Sequence, residues 1–328
     1  MKKGKLSENV MKRSVLKQIK AKRGEVTNGA GIGENCAILS FANNVSTVVS
    51  AAAVTLQEEN GAKHAVNRAV NQLAAFGAEP VAITVVILMP AEAEEARLKV
   101  LIAQLEAECA TLCMQLAGAK VSVTEAVRYP VVTVSAVGAL EQGVAVTGKS
   151  AKPGQDVVVS KWIGIEGTTV LAKEKETELL SKYPVRFIEE AKEFDRFLSI
   201  VPEAATAIKS GVCAMHSVSE GGVFGALWEM AEGAGVGLEI DLKRIPVRQE
   251  TIEVCEFFEL NPYELASSGC LLMTADNGYD LVRALEEKHI PAAVIGKTTA
   301  NNDRVVINEE ERRFLEPAKP DEIYKVIM

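Results

Sequence analysis

One segment of the chain joins a histidine, short polar residues and a glycine pair at the start of a predicted helix. It runs His216-Ser217-Val218-Ser219-Glu220-Gly221-Gly222 and continues into an apolar helical pattern. Ser219 can cap this helix, and paired glycines let a ligand or another backbone approach closely. Free N–H groups at a helix N-terminus suit a phosphate. The segment therefore predicts either a phosphate site that includes His216, Glu220, Gly221 and Gly222, or an ordinary helix start.

A second segment has the pattern of a strand, a glycine-containing turn and a helix. Lys161 ends the strand, and Gly164 and Gly167 follow in the turn. A lysine beside glycine N–H groups can cradle an anion. The spacing does not fit a Walker A loop, which ends in Gly-Lys-Ser/Thr. The alternative interpretation is a tight strand-to-helix turn without a ligand.

The six cysteines are too few for a disulfide scaffold in a chain of 328 residues. Cys109 and Cys113 are spaced to share the apolar face of a helix. Because no other ligand pair is present, we expect two buried thiols there rather than half of a metal site. Cys36 and Cys213 are candidates for a reactive thiol by placement, but a reactive thiolate needs a cationic or N–H-rich environment. Buried, inert thiols are the expected state of both.

The chain has only three histidines, which argues against a His-rich zinc site. His64 and His289 fall on predicted helices rich in charge and are expected at the surface. His216 is either a cleft residue near a phosphate or a strand-end histidine bonded to backbone.

Composition excludes several classes of protein. Lys and Arg total 36 against 44 Asp and Glu, which gives a net charge of −8, and 48% of the residues are hydrophobic. These values argue against disorder, a dedicated nucleic-acid binder and an anionic-membrane protein. The charged start and the lack of an apolar run of about 18 residues predict no membrane segment. We therefore expect a cytoplasmic protein with ample material for two cores.

Elements that position these residues alternate along the first half of the chain. Ala37 to Phe41 and Val45 to Val54 have the pattern of strands, and Gly61 to Phe76 has that of an amphipathic helix. Val81 to Leu88 is an apolar run typical of a buried strand. A long helix is predicted from Pro90 to near Gly118.

The glycine- and proline-containing segment from Glu141 to Asp156 is the predicted domain boundary. It divides the chain into residues 1–145 and 146–328, two domains of similar size. The second half also mixes helices with strands, the latter predicted at Asp156 to Ile163, Val236 to Leu242, Gly269 to Ala275, Ala292 to Ile295 and Arg304 to Ile307.

Four segments, at 71–80, 161–172, 215–246 and 262–272, together resemble the AIR synthase-related (PurM-like) superfamily, and within it the branch of the hydrogenase expression/formation protein HypE. The resemblance implies a two-domain α+β fold. Its N-terminal domain would be ferredoxin-like, with a sheet that pairs across a homodimer, and its C-terminal domain α/β. The resemblance also implies an ATP site in the inter-domain cleft and a maturation-protein partner.

The family's metal- and phosphate-handling motifs are altered here. Gly33-Glu34-Asn35-Cys36-Ala37 stands where the family has Gly-Asp-Asp-Ala-Ala, and of a Gly-Gly-x-Thr-Glu element only Thr124 and Glu125 remain. By resemblance, Glu34, Asn35, Thr124 and Glu125 join the candidate nucleotide- or phosphate-binding residues.

Family carboxylates fall at Ala52, Gln72 and Ser217, which are neutral. Mg²⁺ is held by carboxylates, phosphate oxygens and water. The sequence therefore singles out no metal ligand, and we expect the family's Mg-ATP chemistry to be weakened or changed. HypE proteins also carry a C-terminal cysteine that accepts a carbamoyl group, and this chain has no cysteine after Cys270, so that step is not expected.

Three functions follow from these observations. The first is a HypE-like protein that binds ATP or another phosphorylated molecule in the cleft. The second is a catalytically inactive paralogue that serves as a dimeric binding or regulatory protein. The third is an enzyme that uses a remodelled site, with Cys36 and Lys161, on a substrate other than ATP.

Overall fold

The computed structural model describes residues 8–9, 12, 26–28, 31–32, 36–40, 45–55, 61–141 and 145–327. Within these ranges the chain forms two mixed layers of sheet and helix. The first layer lies before residue 142 and the second after residue 155.

The first layer is a six-stranded sheet in the order β1-β2-β3-β6-β4-β5, antiparallel except for the parallel pair β4 and β5. Its strands and helices in chain order are β1 Val26–Asn28, β2 Cys36–Ser40, β3 Val45–Thr55, α1 Gly61–Ala75, β4 Glu79–Pro90, α2 Glu95–Thr111, β5 Gln115–Thr124 and β6 Val131–Glu141.

Helix α1 packs on one face of this sheet because its inward side is built from small residues. Ala62, Ala65, Ala69 and Val70 are fully buried, which permits close approach of helix and sheet. On the opposite sheet face Ala51, Ala53 and Val86 are exposed. One face therefore forms a core and the other stays open in the single chain.

The predicted strands and first helix of this layer are confirmed with small shifts at their ends, but the second helix is shorter than predicted. It ends at Thr111, and Gln115–Thr124 is a strand. Cys113 has φ +55° and is exposed, so it does not share the buried face that Cys109 occupies. Val121 and Val123 alternate with polar residues, which favours a strand. The apolar periodicity of the preceding helix led to a helix being predicted too far along the chain.

The second layer is a seven-stranded sheet in the order β13-β12-β9-β11-β7-β10-β8. All neighbours are antiparallel except the parallel pair β9 and β12. Its strands are β7 Asp156–Ser160, β8 Val212–Ser217, β9 Gly237–Asp241, β10 Leu271–Ala275, β11 Ala292–Thr299, β12 Arg304–Asn308 and β13 Glu311–Phe314.

Within residues 145–327, seven helices belong to the second layer. They are α3 Ile165–Glu174, α4 Glu176–Leu179, α5 Val185–Lys192, α6 Val201–Ile208, α7 Gly222–Ala234, α8 Gln249–Phe257 and α9 Gly278–Glu286, the last of which lies beside β7 and β11. Short 3₁₀ turns include Pro262–Glu264 and Glu322–Lys325.

The two layers meet along α1. Ala74 and Ala75 at its end pack into a buried cluster with Val158, Met215 and Leu271 from the second layer. Asn71 adds a polar contact: its Nδ2 donates to the carbonyl of Leu198 at 2.7 Å, and its Oδ1 accepts from the N–H of Ile200 at 3.0 Å. These contacts fix how the layers face each other. In the described part of the chain, none of the helices is both long and apolar enough to cross a membrane.

Candidate inter-domain site

The glycine pair before α7 forms a tight turn that only glycine fits. Gly221 and Gly222 have φ of +85° and +64°, and a Cβ on Gly222 would lie 2.4 Å from the carbonyl oxygen of Tyr263. The glycine pair therefore allows the backbone at Gly222 to lie close to the backbone at Tyr263.

The N–H of Gly221 is already hydrogen-bonded within the chain. It donates to Oδ2 of Asp321 at 2.7 Å, and Asp321 is only 2% exposed. A carboxylate from the C-terminal segment thus sits at the N-terminus of α7, where the sequence predicted a phosphate. An acidic side chain does occupy this helix terminus, but the chain itself supplies it.

Glu220, which precedes the glycine pair, is held by the same C-terminal segment. Its carboxylate accepts a hydrogen bond from the Tyr324 hydroxyl. Burial and Glu220 together raise the pKa of Tyr324, so the phenol stays protonated and remains a donor.

The loop at residues 265–268 links the two glycine segments found in the sequence. Its Ser267 Oγ accepts from the N–H of Gly164 at 2.7 Å, and its Ala266 carbonyl accepts from the N–H of Gly167 at 2.8 Å. The N–H of Ser267 donates in turn to the carbonyl of Ser219. A Cβ on Gly167 would lie 2.4 Å from Leu265 Cγ. Gly164 and Gly167 therefore belong to a tight strand-to-helix turn without a ligand, which was the second interpretation of this segment. They do not form an open anion-binding loop.

Lys161 is buried and bonded inside the protein. Its Nζ donates to the carbonyls of Phe197 and Ser199 at 2.8 and 2.7 Å, and it lies 2.5 Å from the carboxylate of Glu203. An ammonium group has three N–H donors. Since these three acceptors satisfy them, Lys161 has no donor left for a phosphate, contrary to the sequence-based expectation.

A buried charge cluster joins the two layers. Arg68 Nε of α1 donates to Glu166 Oε1 of α3 at 2.7 Å, and His64 Nδ1 lies 3.5 Å from the same oxygen. Burial alone would raise the pKa of Glu166, but Arg68 and His64 outweigh it and hold that pKa well below its usual range. The cluster is therefore a carboxylate paired with a cation at all physiological pH values.

Arg68 is also close enough to Glu220, the residue before Gly221, for the two charges to interact. The side chain of Arg68 is 21% exposed. Burial alone would lower the pKa of Arg68, but the two carboxylates raise it. With Nε turned to Glu166, the outer nitrogens of the guanidinium remain for a ligand.

The histidines differ from their predicted positions in one case. His64 is 3% exposed, so the expectation that it lies at the surface is wrong, and the reason is the buried partner Glu166 across the domain junction. His289 is exposed as predicted. His216 is buried at the end of β8, and its Nε2 lies 3.1 Å from Oε2 of Glu229 on α7. It is thus an internal partner of a carboxylate and not a backbone-bonded strand end.

The remaining predicted site residues do not gather at this turn. Thr124 ends the edge strand β5, where its Oγ1 accepts from the N–H of Ala126 at 3.2 Å, and Glu125 is exposed. None of the described hydrogen bonds joins either residue to the Gly221 turn. Glu34, Asn35 and the side chain of Cys36 lie outside the described residues.

Cys109, Cys255 and Cys270 fit inert roles because all three are buried. Burial raises the pKa of Cys109 to about 11 and those of Cys255 and Cys270 to about 12. Cys213 is partly buried, and its Sγ contacts the Gly211 carbonyl and an Asp276 oxygen at 3.8 Å each. Both neighbours are acceptors, so the cationic environment of a reactive thiolate is not formed by them.

The described residues do not fit a magnesium site of their own. Among them, no group of three or more His, Cys, Asp or Glu is arranged to hold a metal. Ser217 is neutral and buried, and Gln72 presents an amide oxygen without a hydrogen-bond partner where a carboxylate was expected from the family. These neutral side chains cannot offset phosphate charge as aspartates do.

The sequence did not reveal Arg68, Glu166 and Asp321 as residues of this region. Arg68 is the single arginine of α1, which is a weak signal for a cation at a junction. Glu166 and Asp321 lie 98 and 100 positions from their partners, so no local pattern connects them.

The architecture and this site define the class of protein. The chain belongs to the AIR synthase related proteins: it matches their N-terminal domain over residues 33–140 and their C-terminal domain over residues 152–308. The fold is the two-domain PurM-like fold.

Among individual relatives, the chain is similar to the carbamoyl dehydratase HypE of Rhodobacter capsulatus. The two are 30% identical over 213 residues, which is 64% of this chain and 60% of that protein. The chain therefore matches less than two thirds of that relative's length.

Two crystal structures show the same fold. One is a HypE–HypF complex, with a TM-score of 0.72, 19% identity, and coverage of 85% of this chain and 92% of the other. The second is the hydrogenase maturation protein HypE in complex with ATP, with a TM-score of 0.71, 17% identity and coverage of 98% and 97%.

Proposed function

We propose that this chain binds ATP or another phosphorylated ligand in the inter-domain cleft, between α1 and the Gly221 turn. The carrying observation is the placement of Arg68. This guanidinium is oriented by the buried Glu166, is partly exposed, and is close enough to Glu220, the residue before the glycine pair, for the two charges to interact. Arginine held in this way recognises phosphate through two parallel N–H donors.

The ATP complex of a HypE protein with the same fold supports a nucleotide as the ligand. Because Ala52, Gln72 and Ser217 are neutral, the proposal includes binding and does not include the family's Mg-ATP chemistry. Glu34, Asn35, Thr124 and Glu125 stay candidate ligand contacts by resemblance, and Glu220, Gly221 and Gly222 are candidates by their position at the start of α7. His216, which is buried against Glu229, is not among the proposed contacts.

Isothermal titration with ATP and ADP, with and without Mg²⁺, tests this function. We expect binding by the native chain and at least tenfold weaker binding by Arg68→Gln. The matched control is Arg186→Gln, since Arg186 is an exposed arginine on α5. Loss of Arg68 leaves the Glu166 carboxylate buried and unpaired, so the double variant Arg68→Gln/Glu166→Gln serves as a second test that avoids this charge. Equal affinity in all variants would overturn the proposal.

A second proposed function is that of a dimeric binding or regulatory protein without catalysis, in the setting of hydrogenase maturation. The open sheet face supports it. Ala53, Thr133 and Val86 are neighbours across β3, β6 and β4 on that face, and the row at Ala51, Ser135 and Thr84 lies beside it. A contiguous face of small and apolar residues suits a second copy of the chain.

Sedimentation equilibrium tests the dimer. Val86→Arg places a charge on the open face and should convert dimers to monomers, whereas Val100→Arg, on the exposed side of α2, should not. A native chain that is monomeric at all concentrations contradicts the dimer. Co-purification with a maturation protein that survives Arg68→Gln and Glu220→Gln favours the regulatory function over the nucleotide-dependent one.

A further inference from the structure

Asp321 is the point at which the C-terminal segment contacts the candidate site. Its Oδ2 accepts from the N–H of Gly221 at 2.7 Å. Its Oδ1 accepts from the N–H groups of Ala266 and Ile323 at 3.1 and 2.9 Å. One buried carboxylate thus joins three backbone segments that are far apart in the sequence.

Under the proposed function, two of these segments are walls of the cleft. Gly221 belongs to the turn that starts α7, and Ala266 belongs to the loop that receives the N–H groups of Gly164 and Gly167. The third is the segment of Asp321 itself. Because one buried carboxyl group accepts from the N–H groups of both Gly221 and Ala266, it couples the positions of the two segments.

The C-terminal segment is itself anchored by packing. Ile323 is buried in an apolar cluster with Leu171 and Leu265, and the Glu322 carboxylate accepts from the N–H of Asn261 at 2.9 Å. Tyr324 donates to Glu220, next to Arg68. The segment therefore holds the wall at Asp321 and orients a charged side chain of the cleft at Tyr324.

We propose that Asp321 is a positioning residue of the inter-domain site, through which the C-terminal segment 321–324 holds the Gly221 turn and the 265–268 loop in the geometry that a ligand at Arg68 meets. This inference rests on the proposed phosphate-ligand function for its binding consequence. The claim that Asp321 holds the two backbone segments in place depends only on its hydrogen bonds.

Hydrogen exchange of backbone amides, combined with ATP titration, tests the proposal. Asp321→Asn replaces one carboxylate oxygen with an NH₂ group. This group is a donor, so it cannot accept the hydrogen bond from the backbone N–H that it faces. We expect exchange at residues 219–222 and 265–268 to accelerate about tenfold or more, and ATP affinity to fall about tenfold. Glu316→Gln is the matched control, because Glu316 lies in the same terminal region with an exposed side chain.

The outcomes separate this inference from the function it rests on. If the native chain does not bind ATP, the proposed function fails while exchange still decides the role of Asp321. Faster exchange confined to residues 321–327 overturns the positioning role, and so does faster exchange in both walls with unchanged ATP affinity.

A milder variant covers the case in which Asp321→Asn does not fold. Tyr324→Phe removes only the hydroxyl that donates to Glu220, so the apolar packing of the segment is kept. We expect faster exchange at residues 219–222 and weaker ATP binding, each by a few-fold. Native exchange and native affinity in this variant contradict the proposal.

Discussion

Asn71 and Leu198 are joined by a hydrogen bond across the two layers, with Asn71 Nδ2 donating to the Leu198 carbonyl at 2.7 Å. The same amide accepts from Ile200, so one side chain satisfies a backbone acceptor and a backbone donor of the other layer. Asn71 is 1% exposed. A buried amide in this position ties α1 to the segment before α6 and hence holds the two layers in register at their junction.

Replacing Asn71 should destabilise the junction. In Asn71→Ala both backbone groups lose their partner in a buried place, and each unsatisfied group costs about 1–3 kcal/mol. Urea unfolding should show this loss of free energy of unfolding, whereas Asn302→Ala, at an exposed bend, should stay within about 0.5 kcal/mol of the native chain. A native-like midpoint for Asn71→Ala would contradict the bridging role.

Two helical glycines should respond to alanine with opposite signs. Gly167 in α3 has Leu265 at 2.4 Å from an added Cβ, whereas Gly225 in α7 has its nearest neighbour at 3.6 Å. Alanine in a helix gains about 1 kcal/mol over glycine where space allows. We therefore expect Gly225→Ala to raise the melting temperature and Gly167→Ala to lower it, the latter through about 1–3 kcal/mol of overpacking. Thermal unfolding followed by circular dichroism measures both, and changes of equal sign would contradict the packing argument.

The buried pair of Arg68 and Glu166 should be strongly coupled. Removing Arg68 alone leaves the buried Glu166 carboxylate unpaired and costs about 3–5 kcal/mol, while removing both residues costs less than the sum of the two single losses. A double-mutant cycle with Arg68→Gln and Glu166→Gln, measured by urea unfolding, should give this non-additivity. Additive losses would show that the two charges do not depend on each other.

The pH dependence of this pair has a definite sign. The pKa of Glu166 is lower in the folded chain than in the unfolded one. The contribution of Glu166 is therefore present above the ordinary glutamate range and is lost as the pH falls through the folded value. Below about pH 4 the native chain should lose more stability with falling pH than Glu166→Gln does, and parallel curves for the two would contradict the lowered pKa.

Asp321 should show the reverse dependence. Burial is the main cause that raises its pKa to about 7, Glu220 adds to it, and the N–H groups of Ile323, Gly221 and Ala266 oppose it. A folded pKa above the unfolded value means that the folded state binds more protons between the two. Stability contributed by this group therefore falls as pH rises from about 4 to about 7, by up to about 1.4 kcal/mol per unit.

Urea unfolding of the native chain and of Asp321→Asn over a pH range of about 4–8 measures this effect as a difference between the two curves. The difference should change steadily up to about pH 7 and flatten above it. Glu310→Gln, at an exposed turn, is the control. A constant difference across the range would place the pKa of Asp321 near its ordinary value instead.

Local sequence patterns predicted the helices and strands well and the candidate site poorly. The helix at 61–75 and the strands at 45–55 and 156–160 follow from periodicity and β-branched runs, because each is decided by residues within one element. The two glycine segments were found for the same reason, since each is a local turn. Whether their N–H groups face a ligand or another part of the chain is decided by Asp321 and Ser267, which lie 100 and 103 positions away from Gly221 and Gly164.

Lys161 illustrates the same limit. A lysine at the end of a strand and before a glycine turn has the local pattern of an anion site, but its partners Phe197, Ser199 and Glu203 belong to a different segment. The family resemblance supplied the fold that local patterns could not assemble. It could not tell which of the matching residues keep a free donor.

The two outer strands of the seven-stranded sheet are protected in different ways. β13 carries Glu311, Arg312 and Arg313 along its exposed length, and charges on a free edge discourage pairing with another chain. β8 has few charges and is covered instead by α1 of the other layer. The second layer expressed by itself would therefore present an apolar strand edge to other molecules. By covering that edge, the first layer protects the protein against aggregation.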